Sequence, residues 1–77
     1  MGKLHTVGKV SVRVYANDHL PPHFHIVGVD AEALIVIATL TVYAGTVPSK
    51  AALDWAAANP DAIRAEWNRI NPRFPIV

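Results

Sequence analysis

Val10-Ser11-Val12-Arg13-Val14-Tyr15 alternates apolar and polar side chains without a break. Successive strand residues point to opposite faces, so this stretch reads as a half-buried strand with a valine face and a polar face. It emerges from Val7-Gly8-Lys9 and ends at Ala16-Asn17-Asp18. Connection lengths then carry the rest of the sheet. His23 to Val27 reads as a second strand, with Phe24 and Ile26 on one face and His23 and His25 on the other. Gly28-Val29-Asp30 fits a hairpin turn. Ala31 to Ile37 is a third strand, apolar on both faces, and is expected to be the central one. Ala38-Thr39-Leu40 forms a turn, and Thr41 to Val47 a fourth strand, weakened by Gly45. Connections this short exclude parallel crossovers, so the strands form an antiparallel meander. Residues Met1 to Thr6 show no period and are expected to be a loose start.

The pattern then changes from a period of two to a helical one. Ser49 after Pro48 is a candidate N-cap for a helix through Ala58, with Ala52, Leu53, Ala56 and Ala57 as its buried stripe. Asn59-Pro60-Asp61 stops that helix and starts another: Asn59 caps, Pro60 takes the first helical position, and Asp61 meets the positive helix end. Ile63, Trp67 and Ile70 fall at i, i+4 and i+7, the spacing of a buried face. Asn71-Pro72 ends this helix. Arg73 to Val77 is a tail whose Phe74, Ile76 and Val77 can dock on the core or on a partner. The fold class is α+β: a three- or four-stranded antiparallel meander followed by two C-terminal helices packed on one face, in a single domain of residues 1–77.

Composition narrows the function. A 77-residue chain buries only a little over half of its unfolded surface, so a metal or an oligomer is a welcome staple. There is no cysteine, which removes disulfides and thiolate metal sites. A net charge of +1 supplies no strong field for nucleic acid or anionic lipid. No apolar run approaches the roughly 18–20 residues that span a bilayer, and the N-terminus lacks a signal core. The expected setting is a soluble, cytoplasmic protein with no membrane partner. The hydrophobic fraction of 52% is high for such a chain, which points to an interface with a small protein or a second copy.

Chemistry-bearing residues concentrate in Asp18-His19-Leu20-Pro21-Pro22-His23-Phe24-His25, which holds three of the four histidines. His23 and His25, at i and i+2 on a strand, project in parallel and can share a divalent ion, with His19, Asp18 or cross-strand Glu32 as further ligands. Such ligands suit zinc, nickel, iron or manganese. The same residues can do acid–base work, with His23, His25 and Asp18 as catalytic candidates of a hydrolase or nuclease and Arg13 or Lys9 stabilising an anion. The plainer alternative is a pair of solvent-facing histidines on an open sheet face, since H-x-H alone is a common pattern. Lys9, Arg13 and Tyr15 on the polar face of the first strand form a thin single-strand nucleic-acid motif. Arg64, Arg69 and Arg73 add little, because Asp61 and Glu66 partly cancel them. Trp67 belongs to the core stripe, whereas Trp55 lies off its helix's stripe and is a candidate interface anchor.

The run Val12 to His25, with its D-H-x-P-P-H-F-H segment, followed by Glu32-Ala33-Leu34-Ile35, Gly45-Thr46-Val47-Pro48 and Glu66-Trp67, resembles the bacterial domain-of-unknown-function family 4160. The resemblance covers about residues 10 to 71. It implies a short, stand-alone bacterial protein, often encoded beside a small protein of domain-of-unknown-function family 2442 in a toxin–antitoxin-like arrangement. It assigns no catalytic role to Asp18, His19, His23 or His25. The expected function is therefore a protein-binding module with the Asp18–His25 segment as its functional surface. A metal-dependent or histidine-based hydrolase is the alternative, and single-strand nucleic-acid binding the second.

Overall fold

The computed structural model describes residues 2–16 and 21–76. The chain runs β1 (Gly2–Val7), β2 (Val10–Val14), β3 (His23–Val27), β4 (Glu32–Val36), β5 (Val42–Gly45), α1 (Lys50–Ala58) and α2 (Pro60–Ile70). The strands form one antiparallel sheet in the order β1-β2-β3-β4-β5. The α+β architecture and the meander are as expected, but the sheet has five strands rather than three or four. The extra strand is the N-terminal segment that the sequence left as a loose start. Its ladder shifts between Lys3 and His5: Lys3 faces Arg13, whereas His5 faces Val12. A bulge inserts a residue and resets the alternation, so no period of two survives in the sequence. The hairpin from β1 to β2 turns at Gly8, whose φ of 59° favours glycine. Lys9 consequently stands in the turn and not on the polar face of β2. Adding β1 also moves the centre of the sheet from β4 to β3, where His23, Phe24, His25 and Ile26 are all buried.

The register keeps the apolar alternation of each strand on one face. Val12 lies opposite Ile26, Ile26 opposite Ala33, and Phe24 opposite Ile35. These residues, with Val14, are fully buried. The helices approach this face over β1 and β2. Ala52 and Ala56 of α1 and Ile63 and Trp67 of α2 complete the core. Ala57, expected in the α1 stripe, is exposed, and Leu53 and Ile70 are half-buried. Each fully buried aliphatic side chain here is worth about 1.5–3 kcal/mol relative to exposure.

The helix ends follow their local chemistry. Ser49 Oγ accepts a hydrogen bond from the Ala52 amide at 3.2 Å and caps α1. Asn59, expected to cap α2, instead donates through Nδ2 to the Trp55 carbonyl at 2.8 Å and closes the end of α1. Pro60 and Asp61 then open α2, which has no side-chain cap bond from Asn59. At its other end Asn71 Nδ2 donates to the Tyr15 carbonyl at 2.9 Å, tying α2 to the end of β2. The tail turns back along α2. Trp67 Nε1 donates to the Phe74 carbonyl at 2.8 Å. Asn68 exchanges two bonds with the Ile76 backbone, at 3.0 and 2.6 Å. Ile76 thereby joins the core while Phe74 stays exposed. On the outer side of α2, Arg69 grips Glu66 in a two-pronged ion pair of 2.9 and 2.6 Å. Those donated bonds hold the Glu66 carboxyl below its ordinary range, against the opposing effect of its burial. Among the described residues, no helix is long and apolar enough to cross a membrane.

Candidate functional site

Strand alternation places His23 and His25 opposite Phe24 and Ile26, as the sequence predicts. Their ring centroids are 5.1 Å apart. They do not face solvent: His23 is 0% exposed and His25 8%. Aromatic rings from elsewhere in the chain lie near them. The Tyr15 ring meets His25 edge-on at 4.5 Å. Tyr43 of β5 lies nearly parallel to His23 at 6.4 Å. The Trp67 indole of α2 is 6.0 Å from His23. Both imidazoles are thus buried and not on the open sheet face considered from the sequence.

Each imidazole is oriented by a hydrogen bond at Nδ1. His25 Nδ1 donates to Glu32 Oε2 at 2.8 Å, one strand away on β4. His23 Nδ1 donates to the Pro21 carbonyl at 2.8 Å. A carboxylate and a carbonyl oxygen accept, so Nδ1 donates in both bonds and Nε2 is the other ring nitrogen of each imidazole. Arg13 stands directly across from His25, with its Nε donating to Ser11 Oγ at 2.8 Å. One face therefore carries Ser11, Arg13, Tyr15, His23, His25 and Glu32. A histidine held at Nδ1 by a carboxylate is well arranged to present Nε2 to a proton or a metal ion.

The structure brings together His23, His25 and Glu32 from the residues singled out in the sequence. Asp18 and His19 lie outside the described residues. Among the described residues, no group of three or more His, Asp and Glu side chains is placed to hold a metal ion. Of the basic and aromatic trio, Arg13 and Tyr15 share the histidine face, while Lys9 sits exposed in the β1–β2 turn. Arg69 is engaged by Glu66, and Arg64 lies 3.6 Å from Asp61. Sequence reasoning missed His5, whose ring stacks on Trp55 at 4.4 Å and an interplanar angle of 3°. That contact accounts for the position of Trp55 off the α1 stripe. It depends on the β1 bulge, so no sequence periodicity reveals it.

Two surface features flank this cluster. Every residue of β5 is exposed, including Val42 and Tyr43, and Leu40 before it is also exposed. A cleft of about 420 Å³ opens between the start of β3, the end of β4, α2 and the tail.

A family model described as Domain of unknown function (DUF4160) matches residues 10–68, the span from β2 into α2. No curated protein and no solved structure matches the chain.

Proposed function

Because the chain belongs to the family described as Domain of unknown function (DUF4160), a description that brings no activity with it, we propose from its geometry that it is a binding module for a small protein partner. The partner is the second member of a toxin–antitoxin-like pair, and it docks by adding a strand to β5. The observation that carries this reading is the β5 edge. Residues 38–47 contain no charged side chain. Among the described residues no strand lies beyond β5, and Val42 and Tyr43 are half-exposed there. Edge strands that stay alone are blunted by charge, proline, shortness or a bulge; β5 is only four residues long and its ladder shifts between Leu34 and Ile35, but without charge or proline it still offers a template for another chain's backbone. The opposite edge, β1, carries Lys3 and is braced by the His5–Trp55 stack. The His23 ring lies 6.4 Å from that of Tyr43, so in this reading His23 and His25, both buried, contribute to the functional surface through β5 rather than by their own exposure.

The test is size-exclusion chromatography with light scattering, on the protein alone and mixed with the small protein encoded beside it. A defined heteromeric complex is expected. Val42→Lys is expected to abolish it while changing stability by less than about 1 kcal/mol, as for most exposed substitutions. A strict monomer that ignores its neighbour overturns the reading.

A second reading draws on the Nδ1 bonds. Metal-ligating histidines almost always donate their other ring N–H to a carbonyl or carboxylate, as His23 and His25 do. In this reading their Nε2 atoms hold zinc, nickel, iron or manganese for hydrolase or nuclease chemistry, with Asp18 taking part. Metal analysis of tag-free protein is then expected to find near-stoichiometric metal in the wild type and none in His23→Ala/His25→Ala. Added metal should raise the melting temperature of the wild type alone. Absence of metal and of stabilisation removes this reading.

A further inference from the structure

We propose that the cleft beside the β4–β5 turn binds a small monocarboxylic acid with an apolar body, its carboxylate taken by Arg64. The cleft lies away from β5's outer edge and is independent of the protein-docking reading. Its volume of about 420 Å³ is in the range of small-molecule sites, roughly 300–1,000 Å³. Its walls are Pro21, Pro22, Val36, Ile37, Ala38 and Ile76, all apolar, and Arg64 supplies the charged group in the lining.

The backbone around the cleft argues against a peptide as the occupant. Pro21 and Pro22 have no N–H to offer. The Val36 amide donates to the Thr41 carbonyl at 2.9 Å, and the Ile37 amide to the Pro22 carbonyl at 3.0 Å. The Ile76 amide donates to Asn68 Oδ1 at 2.6 Å. A strand-like ligand needs a row of available backbone donors, and Val36, Ile37 and Ile76 have already committed theirs. What they present is apolar surface with a guanidinium at one end. That combination complements a ligand with an apolar body and a single anionic head.

Arg64 is able to serve such a head. Its neighbouring carboxylate, Asp61 Oδ1, is 3.6 Å away on a side chain that is 99% exposed. An ion pair that long and that wet contributes little. The guanidinium fork can therefore accept a ligand carboxylate in two-pronged fashion, a geometry it matches better than lysine does. The apolar walls exclude water from the rest of the molecule, which a neutral or cationic head group would also require. Discrimination between heads must then come from Arg64.

Octanoate, 1-octanol and octylammonium are the probes, titrated into the isotope-labelled full chain and followed by amide chemical shifts. Octanoate is expected to move the amides of residues 36–38, 64 and 76, and to bind more tightly than the alcohol or the amine. Arg64→Gln is expected to weaken octanoate by roughly tenfold or more, the effect of losing a charge-assisted hydrogen bond, and to leave octanol unchanged. Ala38→Leu, which fills the cleft from an exposed position, is expected to weaken all three probes. Equal affinity for octanoate and octanol overturns the proposal, as does an Arg64→Gln protein with wild-type octanoate affinity. Shifts confined to residues outside the cleft overturn it as well.

Discussion

Trp67→Ala is expected to remove about 3–5 kcal/mol of stability, the usual effect of truncating a fully buried tryptophan. For a 77-residue chain this is a decisive fraction, because folding stability runs at roughly 0.05–0.15 kcal/mol per residue. The size of the effect follows from where the indole sits. It is 0% exposed and belongs to the core that joins α2 to the sheet. Its ring lies 6.0 Å from that of His23, and its N–H donates to the Phe74 carbonyl of the returning tail. Alanine would leave a cavity that a hydrogen-bonded sheet cannot collapse to fill. It would also strip the tail of a tether. Trp67→Phe keeps most of the apolar volume and loses the bond, so a smaller loss of about 1–2 kcal/mol is expected. Urea unfolding followed by circular dichroism measures both, provided the slope with denaturant is unchanged. If Trp67→Ala stays within about 1 kcal/mol of wild type, α2 is not the layer that completes this core.

Gly45→Ala is expected to cost about 3 kcal/mol or more, the sum of a strained backbone and a steric collision. Gly45 ends β5 with φ at +82°. An added Cβ would fall against the Glu32 carbonyl oxygen, closer than real Cβ atoms come, with Ala33 Cα tightly placed at 3.3 Å. These are backbone atoms of β4, so nothing flexible can move aside. The same carbonyl accepts the Thr46 amide at 3.1 Å. Relief therefore means parting β4 from β5 just where Glu32 reaches His25. The expected signature is a lower melting temperature together with a changed imidazole environment for His25, read from its ring proton shifts. A Gly45→Ala protein of wild-type stability would mean that the β4–β5 pairing is looser than its register indicates.

Several features of this fold are legible in residue order because they depend on neighbours. The alternation in Val10–Tyr15 marks β2, and short connections make its successors antiparallel. Ser49 announces α1, and Pro60-Asp61 announces α2, through local backbone chemistry. Ile63 and Trp67 fall on the buried face that their spacing predicts. Strand β1 is not legible, because the bulge before His5 hides its alternation and its cap, Trp55, lies fifty residues further on. Asn59 holds the N-cap position of α2 that the sequence predicts, but its amide can serve either helix, and only packing selects the carbonyl of Trp55.

The same division governs the candidate site. The sequence alone places His23 and His25 on one strand face with Glu32 within reach of His25, since a period of two and a short hairpin leave little choice. It also determined that residues 38–47 carry no charge. The burial of the two histidines, the exposure of the β5 edge and the cleft between Arg64, Ile76, Pro21 and Pro22 arise only in the folded chain. Burial and concavity are set by which distant elements come together, as α2 and the tail do at the cleft. Local periodicity carries the direction of a side chain but not what lies beyond it.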